Sequence, residues 1–141
     1  MKIEVSQVID RPVADVFSFY AVDHVRNHPR WDPGMQLEQV SAGPIGVGTV
    51  IRRRHAHFGA AVEGTMEVVE YEPEQAIGVV IHDGSAEMRS RTTFHPEGDG
   101  RTTMVIGIDL PGMDESADPA SLRSMVERSA RTIKELIESE H

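Results

Sequence analysis

The chain has 141 residues, with 14 lysines and arginines against 23 aspartates and glutamates, so its formal net charge of -9 repels nucleic-acid phosphates and anionic headgroups. It contains no cysteine, which excludes disulfides, thiolate chemistry and cysteine-ligated metals. A 39% hydrophobic content with no apolar run of signal-peptide or membrane-spanning length predicts one domain over residues 1–141, cytoplasmic and without integral membrane association.

Residues 2–9 alternate apolar and polar as a half-buried strand does. After Asp10-Arg11-Pro12, residues Val13, Val16, Phe17 and Tyr20 recur at helical spacing behind a proline suited to a first turn. A second short helix is predicted over 22–27, ending near His28 because Pro29 disfavours helical backbone before it, with Trp31 and Asp32 in a turn. Residues 35–41, 49–58, 62–71, 76–82, 86–95 and 101–110 read as strands. Connections as short as EPEQ and HDGS leave only antiparallel pairing, because a parallel crossover takes about a dozen residues or more.

GVG at 46–48 lacks the Lys-Ser/Thr ending of a phosphate loop and reads as a turn. The acidic loop 111–119 is either a gate or a plain connection. Asp118 then caps, and Pro119 opens, a long helix with Leu122, Met125, Val126, Ser129, Ile133, Leu136 and Ile137 in one apolar stripe. The predicted class is α+β, an antiparallel sheet curling around the final helix, its concave face filled by side chains or hollowed for a ligand.

Four stretches carry a family resemblance: VIDRPVADVFSFYAVDHVRNHPRWDP, GPIGVGTVIRRR, EVVEYEPEQAIGV and FHPEGDGRTTMVIGIDLPG. In that order they resemble the START-like, or SRPBCC, superfamily and within it the polyketide cyclase/dehydrase and lipid-transport group, over essentially the whole chain. The resemblance implies a helix-grip fold: a bent seven-stranded antiparallel sheet around a long C-terminal helix, two short helices after strand 1, and an apolar cavity between sheet and helix. It implies no single activity, since members include lipid and hormone binders, aromatase/cyclases and chaperone co-activators. Arg11 departs from the pattern, Ser or Thr being the better helix cap there.

The segment RRRHAHFG, residues 52–59, concentrates charge in an acidic chain. On a strand, Ile51, Arg53, His55 and His57 share one face, and Val50, Arg52, Arg54, Ala56 and Phe58 the other. One reading makes the basic stripe a surface feature, with Glu63, Glu67, Glu70 and Glu87 as cross-strand partners contributing ~0.2–1 kcal/mol each. The other follows from aligning Ile51 with the family's inward position, which sends His55, with Arg53 and His57, into the cavity to orient a ligand. His55 is then the candidate general base of a polyketide cyclase/dehydratase-like enzyme, removing a proton next to a carbonyl while Arg53 or Tyr20 stabilises the oxyanion.

Strand parity and the helical stripe turn Phe17, Tyr20, Met66, Met88, Phe94, Met104, Ile106, Ile108, Met125, Ser129 and Ile133 inward. All of these except Ile108, with Trp31, Ile51 and His55, are the candidate ligand-binding residues, and the same side chains serve equally as core. Flexible methionines suit a pocket that takes varied ligands. Trp31, placed by the resemblance near the cavity mouth, either packs on a ligand or closes the core edge. His24/His28 and His55/His57 have the spacing of paired metal ligands, but no motif supplies a third, so neither metal nor cofactor is expected. The expected function is binding of a small hydrophobic or aromatic molecule by a monomer or homodimer. The alternatives are the enzyme above and a protein-interaction module with an exposed apolar patch.

Overall fold

A computed structural model describes residues 2–56, 59–111 and 120–140. Its strands are β1 (Lys2–Ile9), β2 (Gln36–Gln39), β3 (Val50–His55), β4 (Val62–Glu72), β5 (Ala76–Asp83), β6 (Ala86–Pro96) and β7 (Thr102–Asp109). They form one sheet in the order β1-β7-β6-β5-β4-β3-β2, antiparallel at every neighbouring pair. Between β1 and β2 run α1 (Val13–Phe17), a π-helical turn (Ser18–Val22) and α2 (His24–Trp31), and α3 (Ala120–Glu140) follows β7. The strands predicted over 35–41 and 49–58 are shorter than expected. His57 and Phe58, the Asp118–Pro119 cap and loop positions 112–119 lie outside the described residues.

Alternation of side chains gives the sheet a buried inner face: Ile3, Val5, Ile51, Met66, Val68, Ile77, Ile81, Phe94, Met104 and Ile106 are all in the core. Against it α3 packs Val126, Ala130, Ile133 and Ile137. That face is centred on Ala130, which the apolar stripe passed over, while Met125 and Ser129 flank it half-buried. A bulge between Val68 and Glu70 resets the parity of β4 and turns Tyr71 inward, 5.4 Å from the Phe17 ring.

β1 is an edge strand, and α3 closes its open side. Arg123 Nη1 donates to the Glu4 carbonyl (3.1 Å), Lys134 Nζ to the Val8 carbonyl (3.0 Å), and Glu138 Oε2 accepts from Asp10 N–H (2.8 Å). At α1 the N-cap residue is Pro12 with no side-chain cap, and Arg11 pairs with Asp15 at 2.8 Å.

The helical linker departs most from expectation. Rather than stopping near His28, α2 continues through Pro29 to Trp31, and Asp32 N–H closes onto the His28 carbonyl at 3.0 Å. Proline inside a helix costs about 3 kcal/mol. Burying an indole of ~200 Å² at ~25 cal/mol per Å² returns about 5 kcal/mol, so the ring's burial wins. Trp31 is buried against Phe19, Tyr20, His24 and His28. The π turn, also unanticipated, presents the Phe19 and Tyr20 carbonyls to the side chains of Asn27 (2.9 Å) and His24 (2.8 Å).

Candidate functional site

Arg53 and His55 project from β3 onto the inner face, only 5% and 4% exposed, while Arg52 and Arg54 face solvent. The surface reading therefore holds for the outer pair alone: Arg52 lies 3.6 Å from Glu38 and Arg54 3.8 Å from Glu63. Glu70 and Glu87 are engaged by Arg91 and Arg89 instead, and Glu67 stands opposite Val50.

Inside, Asp83 at the end of β5 meets both inward groups. Its Oδ2 accepts from His55 Nε2 at 2.8 Å, and its Oδ1 lies 3.1 Å from Arg53 Nε. The second contact is ionic without hydrogen-bond alignment, leaving Arg53 Nε and Asp83 Oδ1 buried without a directional partner. Burial draws the Arg53 guanidinium below its ordinary range, opposed by the charges of Asp83 and Asp32, and the group remains a cation. These residues sit on strands two apart, about 10 Å between backbones. They meet because Gly64 lies between them in register, Arg53↔Gly64↔Asp83, with no side chain in the way. A Cβ at Gly64 would stand 2.2 Å from the His82 carbonyl and 2.3 Å from Asp83 Oδ1.

Facing this cluster, α2 carries a short relay. A carbonyl only accepts, so His24 donates from Nδ1 to the Tyr20 carbonyl. Desolvation, followed by repulsion from His28, holds His24 down at about 3, and the neutral ring accepts at Nε2 from His28 Nδ1 (3.0 Å). His28 Nε2 in turn lies 3.8 Å from Asp32 Oδ2. His24 and His28 thus face each other, and no group of three His, Cys, Asp or Glu among the described residues is placed to hold a metal. Trp31 stacks between Tyr20 (5.3 Å, 6°) and His28 (5.0 Å, 16°).

Tyr20 extends the polar strip onto β6. Its hydroxyl lies 2.9 Å from Thr92 Oγ1 with Ser90 also in reach, and burial pushes its pKa up. From there burial is graded. Around Thr92, Met104, Ile133 and Ile137 the inner face is fully closed, whereas Val79, Met88, Ser90, Ile108, Leu122 and Met125 are half-exposed. This band borders the β5–β6 hairpin and the first turns of α3.

Two hollows among the described residues lie elsewhere. One of about 530 Å³ opens on the outer face over Gly78 and Gly107, where missing side chains make a depression bordered by the Arg91–Glu70 pair. The other, about 180 Å³, lies beside Asn27, Arg30 and Glu140. Neither lies between the inner face of the sheet and α3, where Val79, Met88, Ile108 and Leu122 are only partly buried against the core. The exposed large apolar residues Val8, Val22, Val40, Val47 and Val69 are spread over β1, the π turn, the β2–β3 connection and β4.

Of the candidate residues, Phe17, Tyr20, Trp31, Ile51, His55, Met66, Phe94, Met104, Ile106 and Ile133 are buried on or against the inner face. Met88, Met125 and Ser129 lie in the half-exposed band, as does Ile108. Asp83, Gly64, Asp32, Ser90 and Thr92 were missed. The signal for the first two was a glycine in mid-strand, a mark of close approach.

The family described as polyketide cyclase / dehydrase and lipid transport matches residues 1–138. The chain belongs to that family. The polyketide cyclase/dehydrase and lipid-transport fold is shared with a START superfamily protein from Mycobacterium smegmatis, at TM-score 0.78 and 12% identity over 99% of each chain. It is shared as well with ginseng major latex-like protein 151 from Panax ginseng, at TM-score 0.76 and 17% identity over 96% of each. DynU16, from the dynemicin biosynthetic locus, matches 99% of this chain with 48% of its own, at TM-score 0.73 and 20% identity. No curated protein sequence matches. The architecture is the helix grip that the sequence resemblance implied, and among the described residues no helix is long and apolar enough to cross a membrane.

Proposed function

We propose that this protein binds a small apolar or aromatic molecule between the inner face of the sheet and α3, gaining access through the half-exposed band. One observation carries the reading: inward-facing apolar positions that are buried at one end of α3 stay half-exposed at the other, at Met88, Ile108, Leu122 and Met125. Two of these are methionines, whose unbranched side chains move aside at low cost and line a space of variable shape. Membership of a family described by lipid transport and polyketide chemistry supports it. We read the chain as a single cytoplasmic domain acting without a cofactor.

Titration with a fatty alcohol, a sterol and an aromatic polyketide, followed by calorimetry and methyl NMR, tests the proposal. At least one compound is expected to saturate a single site with a Kd of about 1 μM, or −8 kcal/mol. Its shifts should fall on Met88 and Met125, and Met88→Trp should weaken binding at least about tenfold. Shifts confined to the outer hollow over Gly78 and Gly107 would move the site off the inner face.

A catalytic reading is favoured by the buried His55–Asp83 contact. Asp83 fixes the proton on His55 Nε2 and orients the ring on the inner face, where a general base would act. Deuterium exchange next to the carbonyl of an acetoacetyl thioester, followed by NMR, is then expected and should be lost in His55→Gln. Exchange at the same rate in both proteins would remove His55 from the chemistry.

A further inference from the structure

We propose that the ligand of the inner face is uncharged and carries a hydroxyl or keto oxygen bonded at Ser90 and Tyr20, and that carboxylates are discriminated against. The proposal rests on the reading of that face as a ligand site.

The charges facing the site cancel in place. Arg53, the buried cation of the inner face, is matched by Asp83 at 3.1 Å and feels Asp32 as well. His24 is neutral near physiological pH, and a proton on His28 would sit beside Asp32. The basic side chains Arg123 and Lys134 are drawn to the rim of β1, where they hold backbone carbonyls. A carboxylate moving from water onto this face would give up its hydration without gaining an uncompensated cation, and it would approach Asp83.

A neutral oxygen meets the opposite situation. Tyr20, Ser90 and Thr92 bring three hydroxyls together, able both to donate and to accept. Thr92 is 1% exposed and already engaged with Tyr20, whereas Ser90 is half-exposed within the band formed by Val79, Met88 and Ile108. Ser90 is therefore the hydroxyl that an arriving molecule reaches first. Its neighbours are apolar, so the arrangement selects a hydrophobic body with one neutral polar atom.

Binding of naphthol, naphthoate and naphthalene to the full chain near neutral pH, measured by calorimetry, tests this. Naphthol is expected to bind at least about tenfold more tightly than naphthoate, and several-fold more tightly than naphthalene. Ser90→Ala should abolish the gap between naphthol and naphthalene. Naphthoate binding as tightly as naphthol, or a gap that survives Ser90→Ala, would overturn the proposal while leaving the ligand site standing. Absence of binding by all three compounds would overturn both.

Discussion

Gly64→Ala is expected to destabilise the protein by about 3–5 kcal/mol, the range for overpacking combined with disruption of a buried ion pair. The added methyl has nowhere to go, since its nearest neighbours are the His82 carbonyl at 2.2 Å and Asp83 Oδ1 at 2.3 Å, the first of them backbone. To relieve the overlap β4 and β5 must part or Asp83 must swing away, and either movement leaves the Arg53 charge buried without its partner. For a chain of this size the melting temperature should fall by ~10 °C or more. Gly78→Ala makes the matching control. Gly78 performs the same service on the outer face, between Glu70 and Arg91, but the new methyl would meet the Glu70 side chain at 3.2 Å and backbone, the Ser90 carbonyl, only at 3.8 Å. The ion pair there is exposed and contributes about 0–1 kcal/mol. Similar melting temperatures for the two variants would show that the Arg53–Asp83 contact has no structural weight.

Acid should destabilise the fold well before its carboxylates titrate, and His24 should carry much of the loss. Its folded pKa is depressed from 6.5 to about 3, by burial first and by His28 second. Above pH 6.5 the ring is neutral in both the folded and unfolded chain and has no effect on the balance. As pH falls below that, the unfolded chain takes up a proton that the folded one refuses, so stability declines by ~1.4 kcal/mol per unit. The decline ends near pH 3, after a loss of about 5 kcal/mol. Urea unfolding followed by the fluorescence of the sole tryptophan, Trp31, should show this slope between neutral and mildly acidic pH. His24→Gln should be less stable at neutral pH but flatter in acid, because the titrating group is gone. Parallel slopes for the two proteins would mean that His24 is protonated in the folded state.

Period-two alternation located every strand of the sheet, and the 3.6-residue stripe located α3, because both patterns are imposed by burial on one side. Parity also divided residues 50–55 into their two faces, although it left open which face was inward. Three features were not legible. The continuation of α2 through Pro29 depends on the Phe19 and Tyr20 rings of the π turn packing on Trp31, a gain that overrides a local rule. Asp83 looked like part of a turn because its role requires a partner on a strand two positions across the sheet and a glycine between them. The half-exposed band depends on where α3 crosses the sheet, which the sequence of the helix does not encode.

The contacts from Arg123 and Lys134 to the carbonyls of β1 bear on how copies of this protein meet one another. A strand with two of its carbonyls held by charged side chains and a helix laid along it is a poorer template for a visiting chain. The other border is β2, with four residues to offer. An assembly built by extending the sheet would find the freer edge in that short seam, where two molecules could join without propagating into a filament.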